Sequence, residues 1–212
     1  MRAYHTKNVQ NNSSDKHRLA IFASGTGSNA RVFVDYFDNH PRVEVSLIVS
    51  NKADAPVLEM ARQRNIDTLL LQRSAFYGSE DLLDELHHRN ISFIVLAGFL
   101  WLVPAYLVKA FAGRMVNIHP ALLPAYGGKG MYGMHVHTAV KAAAGKETGI
   151  TIHWVNEHYD EGDVIFQKSC PLEDSDQPAD IARKVQQLEH QYYTAVVEQL
   201  LVNNFVQTDY TK

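Results

Sequence analysis

In the run Met115-Val116-Asn117-Ile118-His119-Pro120 a carboxamide and an imidazole stand two positions apart. Side chains alternate along a strand, so Asn117 and His119 project to one face while Val116 and Ile118 pack on the other. Such a pair suits acyl chemistry. The amide N–H can stabilise a developing oxyanion, and the imidazole can move a proton or carry positive charge. The same two residues could also cap a strand that ends in a polar turn. The segment that follows, Ala121-Leu122-Leu123-Pro124, is apolar and bounded by proline within a polar loop, which suggests a shaped wall and favours the chemical reading.

A second candidate is Ser24-Gly25-Thr26-Gly27-Ser28-Asn29. Glycines let backbone approach a ligand, and a helix start offers unpaired N–H groups and partial positive charge. The run lacks the third glycine of a dinucleotide fingerprint and the Lys-Ser/Thr of a P-loop. It reads either as a phosphate site or as a plain strand-to-helix turn capped by Ser28. His135 and His137 form a His-x-His pair, but no cysteine or nearby carboxylate completes the three or four ligands of a zinc site. No metal is expected there; loop packing or hydrogen bonding to substrate is. Asp160 sits in the acidic run His158-Tyr159-Asp160-Glu161-Gly162-Asp163, where an aspartate ordinarily shapes a turn. Spacing alone does not join it to His119.

These residues need a scaffold. Leu19–Ala23, Val43–Val49, Thr68–Leu71, Ile91–Ala97 and Met115–Ile118 read as short apolar strands, and Arg31–Asp38, Val57–Gln63 and Glu80–His88 carry helical spacing. That alternation predicts an α/β fold, a mostly parallel twisted Rossmann-like sheet with helices on both faces. Gly149–Val155 and Val164–Lys168 alternate as antiparallel or edge strands. A long C-terminal helix follows, with Ser175 or Asp176 as cap and Pro178 in its first turn. Its apolar stripe includes Ile181, Val185, Leu188, Tyr192, Val196 and Leu200, and Gln186 and Glu189 share one face of it.

The 212 residues carry a net charge of −3, so nothing draws the chain to phosphate backbones or anionic membranes. With 46% hydrophobic and 20% charged residues it can bury a core. No apolar run approaches the roughly 20 residues of a membrane span. One cysteine, Cys170, excludes an internal disulfide framework. The stretch 1–17 is polar, aperiodic and without a secretory signal, which predicts a disordered tail before a single domain over 18–206. A cytoplasmic protein without nucleic-acid or membrane partners is expected.

Five motifs then occur in a familiar order. They are Ala23–Asn29, Val95-Leu96-Ala97-Gly98-Phe99, Asn117–Pro124, the Tyr159–Gly162 turn and Gln186-Gln187-Leu188-Glu189-His190. From about Arg18 to Leu201 the chain resembles the folate-dependent phosphoribosylglycinamide formyltransferases of the formyltransferase superfamily. The resemblance implies transfer of the formyl group of 10-formyltetrahydrofolate, as co-substrate and without metal, to the amine of glycinamide ribonucleotide in purine synthesis. It implies a catalytic set of Asn117, His119 and Asp160, with Asp160 raising the imidazole pKa and keeping His119 charged. It further implies that Gly27, Ser28, Asn29, Gln186 and Glu189 hold the substrate phosphate and ribose. Leu100, Trp101, Leu102, Val103, Asn117, Glu157 and Asp160 would contact the folate. A monomer or homodimer is expected.

Two features depart from the pattern. Trp101 stands where many relatives carry a basic residue, and Tyr126–Gly133 is a longer glycine-rich link holding Lys129, read as a lid, a second phosphate contact or a plain surface loop. Among superfamily members, the absence of a C-terminal nucleic-acid-binding domain disfavours methionyl-tRNA formylation. The short polar N-terminal stretch disfavours deformylases with a regulatory domain. Sugar-nucleotide N-formyltransferases are the nearer rival, and a non-catalytic sugar-phosphate-binding module is the alternative of another class.

Overall fold

A computed structural model describes residues 16–202. Seven strands form one sheet: β1 (His17–Phe22), β2 (Val43–Ser50), β3 (Asp67–Leu70), β4 (Phe93–Leu96), β5 (Met115–His119), β6 (Glu147–Trp154) and β7 (Val164–Pro171). Between and after them lie α1 (Ser28–Tyr36), α2 (Pro56–Gln63), α3 (Arg73–Gly78), α4 (Asp81–His88), α5 (Ala105–Ala110), α6 (Met134–Ala142) and α7 (Pro178–Val202). The strand order is β3-β2-β1-β4-β5-β6-β7. β1 to β5 run parallel, while β6 and β7 add antiparallel pairs at one edge, as the change in alternation predicted.

The central strands β1 and β4 are apolar on both sides because both of their faces are covered. Leu19 and Ile21 of β1, with Ala23 just after it, join one buried cluster with Phe33 of α1, Val57 of α2, Val140 of α6 and Tyr193 of α7. Ala20 and Phe22 join the other with Phe76 of α3, Leu86 of α4 and Leu107 of α5. Tyr193 is 1% exposed, and its hydroxyl donates to the Leu96 carbonyl at 3.0 Å, with that of Val116 at 3.4 Å. A hydrogen bond of this kind contributes about 1 kcal/mol, and it ties α7 to the ends of β4 and β5.

From β1 the chain steps outward to β2 and β3, then returns to β4 on the opposite side. The crevice at the carboxyl ends of β1 and β4 is therefore the switch point where such sheets take ligands. The glycine run leaves β1 there, and Asn117 and His119 end β5 beside it.

Several details differ from the sequence reading. The polar tail falls largely on residues 1–15, outside the described residues, but His17 opens β1. Its backbone N–H is taken by the Arg42 carbonyl at 2.8 Å, so the first strand starts two residues before the expected Leu19. Helices α3, α5 and α6 were not predicted: α3 and α5 have six residues each, too few for a helical period to register. Neither Ser175 nor Asp176 caps α7. Asp176 turns back to accept from the Glu173 N–H at 2.8 Å and pairs with Lys184, while Asp180 accepts from the Gln177 N–H at 2.9 Å. That contact satisfies the residue just before the helix from within its first turn.

Candidate active site

The phosphate-type loop is built by local necessity. Ser24, 3% exposed, binds the Gly98 carbonyl through its N–H at 3.0 Å, and its hydroxyl accepts from the Leu100 N–H at 3.0 Å while donating to Asn51 Oδ1 at 2.6 Å. One serine thus joins the ends of β1, β2 and β4. Gly27 has φ +71°, and a Cβ there would lie 2.3 Å from Val57 Cγ2, so only glycine lets the loop pass over α2. Ser28 does not cap α1. It is the first helical residue, and Gly27 occupies the cap position with no side-chain hydrogen bond. The start of α1 therefore keeps its partial positive charge for a ligand.

α7 supplies the facing wall. Gln186 Nε2 donates to Ser28 Oγ at 3.3 Å, and Asn29 Nδ2 donates to Glu189 Oε2 at 2.9 Å. Burial pushes the Glu189 carboxyl upward, against a smaller lowering from Asn29. All five residues expected at the substrate phosphate and ribose line one cleft of about 1070 Å³.

Asn117, His119 and Asp160 meet in the same cleft, although 41 positions separate the last two in sequence. The turn after β6 carries Asp160 back over the end of β5, with Asp160 itself at φ +58°. Its Oδ2 lies 3.5 Å from His119 Nδ1 and accepts from the Gly128 N–H at 2.9 Å. Its Oδ1 faces Asn117 Nδ2 at 3.4 Å. His119 Nε2 is 2.8 Å from the Tyr126 carbonyl, which accepts and so assigns the proton to that nitrogen. A fourth member is His153 of β6, which pairs with Asn117 across the sheet. Its Nδ1 donates to the Trp154 carbonyl at 2.8 Å, leaving Nε2 to accept from Asn117 Nδ2 at 3.1 Å. Sequence reasoning missed His153: a histidine in an otherwise apolar alternating strand gives no sign of the neighbour it will pair with.

The charge state of His119 corrects the expectation. Its ring is buried, and desolvation lowers its pKa by more than Asp160 and the Tyr126 carbonyl raise it, with His153 adding a small further lowering. The imidazole is therefore neutral at neutral pH. Burial would push the Asp160 carboxyl up, but His153, His119 and the Gly128 N–H together outweigh it and hold the carboxyl below its ordinary value.

A stability profile follows from these directions. His119 and His137 are both buried with pKa values lowered from 6.5, desolvation leading in each case. Below about pH 6.5 the unfolded chain binds protons that the folded one refuses, so stability is full above that pH and drains as pH falls through it. The slope approaches about 1.4 kcal/mol per pH unit per histidine. Asp160, lowered from 3.8, withdraws its contribution only in stronger acid. Urea midpoints are expected to drop between about pH 7.5 and about pH 5.5, and to drop less in His137→Gln; a flat wild-type profile contradicts this.

The remaining walls are mixed. Leu100, Trp101, Leu102 and Val103 all line the cleft. The Arg73 guanidinium sits 5.3 Å over the Trp101 ring, so a cation stands beside this indole. Glu157 is a correction: it is half exposed and reaches away to Lys109 of α5 at 3.6 Å, whereas Asn156, His158 and Tyr159 of the same turn line the cleft. His135 and His137 lie on α6 and not in a loop. His135 is exposed; His137 is 6% exposed, lines the cleft, and its Nδ1 has no hydrogen-bond partner. Among the described residues no group of three or more histidines, cysteines or carboxylates is arranged to hold a metal ion. No described helix is long and apolar enough to cross a membrane.

A doubly wound sheet whose switch-point crevice joins a glycine loop to an Asn–His–Asp cluster places the chain among the α/β proteins that take their ligands at the carboxyl ends of the strands. The chain belongs to the formyl transferase family, whose model matches residues 17–197. It is 40% identical over 188 residues to the chloroplastic phosphoribosylglycinamide formyltransferase of Arabidopsis thaliana, covering 86% of this chain and 64% of that protein. To the phosphoribosylglycinamide formyltransferase of Bacillus subtilis it is 32% identical, over 88% of this chain and 96% of the relative. Among solved structures, glycinamide ribonucleotide transformylase 1 from Symbiobacterium toebii superposes with a TM-score of 0.82 at 28% identity, covering 92% of each chain. The chain spans 64% and 63% of the length of two plant relatives, from Arabidopsis thaliana and Vigna unguiculata.

Proposed function

We propose that this chain transfers the formyl group of 10-formyltetrahydrofolate to the primary amine of glycinamide ribonucleotide, giving formylglycinamide ribonucleotide and tetrahydrofolate in purine synthesis. The observation that carries the reading is the convergence of Asn117, His119 and Asp160 in a cleft whose far wall is the uncapped start of α1. The matched relatives, named for this activity, support it.

In this reading the substrate phosphate binds at Gly27, Ser28 and Asn29 with Gln186, and Glu189 accepts from ribose hydroxyls. The pteridine ring of the donor packs a face on the wall at Leu100–Val103, with the Asp160 turn over it and its polar edge left for hydrogen bonds. The amine attacks the formyl carbon and forms the new C–N bond, which leaves a negative oxygen and a positively charged nitrogen. Asn117 holds one N–H on His153, and the other, weakly bonded to Asp160 at 3.4 Å, turns to the oxyanion. His119 keeps its Nε2 proton on the Tyr126 carbonyl, so its Nδ1 is the free base. It takes the ammonium proton, and Asp160 stabilises the imidazolium that results. The proton then passes to the folate nitrogen as its bond to carbon breaks, so nitrogen leaves neutral and no net proton is consumed.

The reading extends to a cytoplasmic enzyme, which the lone cysteine Cys170 supports. The test is an absorbance assay of tetrahydrofolate release with purified chain, folate donor and glycinamide ribonucleotide, with mass analysis of the formylated product. Turnover coupled to that product is expected. Donor binding without turnover, or turnover with an amino sugar nucleotide alone, overturns the assignment.

A further inference from the structure

The glycine-rich strap 126–133 supplies two backbone groups to the chemical cluster. The Tyr126 carbonyl accepts from His119 Nε2 at 2.8 Å, and the Gly128 N–H donates to Asp160 Oδ2 at 2.9 Å. These belong to consecutive peptide units on either side of Gly127. Tyr126 at φ +58° and Gly128 at φ +94° both adopt left-handed backbone, turning one carbonyl and the next N–H toward the same cleft. Gly127 lies close to the Leu123 and Asp160 side chains: a Cβ there would come 2.6 Å from Leu123 Cδ2 and 3.3 Å from Asp160 Cβ. The Gly128 bond is the shortest that Asp160 makes, since its other neighbours stand at 3.4 Å or beyond.

We propose that Gly127 and Gly128 are positioning residues, through which the strap holds the His119 ring and the Asp160 carboxylate in one register. The inference deepens the proposed function and rests on His119 and Asp160 being the proton-handling pair. The Tyr126 carbonyl commits the His119 proton to Nε2 and leaves Nδ1 open toward Asp160. The Gly128 N–H fixes which carboxylate oxygen faces that nitrogen. Neither contact uses a side chain, so the strap works through its conformation, and the glycines are what that conformation and the close approach to Asp160 demand. The titratable groups around Asp160 are His119 from β5 and His153 from β6, with His137 of α6 near His119. None of them replaces the Gly128 donor.

The direct test replaces the Gly128 N–H alone. Incorporating glycolic acid at position 128 of the full chain turns that amide into an ester with the same shape and no donor. The expected result is a folded protein with KM for both substrates within about threefold of wild type and kcat lower by about tenfold or more. The acid limb of the kcat profile should move to higher pH. Carbon-13 NMR of the Asp160 carboxyl, assigned with Asp160→Asn, should show its titration midpoint rising in the ester protein. Gly127→Ala, whose methyl group must displace Asp160 or Leu123, should likewise lower kcat with KM preserved. An unchanged Asp160 titration with kcat within about twofold of wild type overturns the proposal. A raised midpoint in a protein whose wild type transfers no formyl group supports the positioning role and refutes the functional reading instead.

Discussion

Asp160→Asn is expected to lower kcat by about 10³-fold while KM for amine and folate donor stays within about threefold. Asparagine is nearly isosteric and keeps an oxygen for the Gly128 N–H, so the turn after β6 retains its anchor. What disappears is the negative charge 3.5 Å from His119 Nδ1. Burial already drives His119 toward its neutral form, and Asp160 is the largest influence acting against it. Without the carboxylate, the imidazolium formed when His119 takes the amine proton stands in a buried site with no counter-charge. Proton removal then becomes the costly event. Steady-state kinetics with both substrates varied checks this, and a kcat within about threefold of wild type removes Asp160 from the mechanism.

Asn117→Ala should cost about 10²–10³-fold in kcat, the usual loss for one oxyanion donor. The effect has a second source. Asn117 Nδ2 is held at 3.1 Å by His153 Nε2, which orients the amide before substrate arrives, so the donor is set in place in advance of the charge it meets. Alanine deletes the donor and leaves a buried imidazole nitrogen unpaired, so some loss of thermal stability accompanies the kinetic defect. The double variant with Asp160→Asn should fall well short of the product of the two single losses, because both residues serve one proton-coupled step. Losses that multiply would show that Asn117 and Asp160 act independently, and a kcat for Asn117→Ala near wild type would put the oxyanion elsewhere.

Much of the scaffold is legible in the sequence. The runs at Leu19–Ala23 and, within Val43–Val49, at Leu47–Val49 are apolar on both sides because these strand segments are buried on both faces, and local composition records that directly. The long helix was legible because Ile181, Val185 and Val196 keep their spacing over a 25-residue element. Its cap was not, since Ser175, Asp176 and Asp180 all have capping chemistry, and only folding shows that Asp176 spends its carboxylate on Glu173 and Lys184. Glu157 misled for a related reason: adjacent turn residues face different ways, and Lys109 on α5 draws its side chain outward.

At the site the boundary is equally physical. Alternation along β5 was enough to put Asn117 and His119 on one face, and the glycine run was enough to locate a loop beside a helix start, because both depend on neighbours in sequence. The approach of Asp160 to His119, the pairing of Asn117 with His153 and the two strap contacts arise between segments far apart along the chain. The neutrality of His119 belongs with them: its charge depends on how completely water is excluded from the ring, and that exclusion exists only once β5, the strap and the Asp160 turn have packed together.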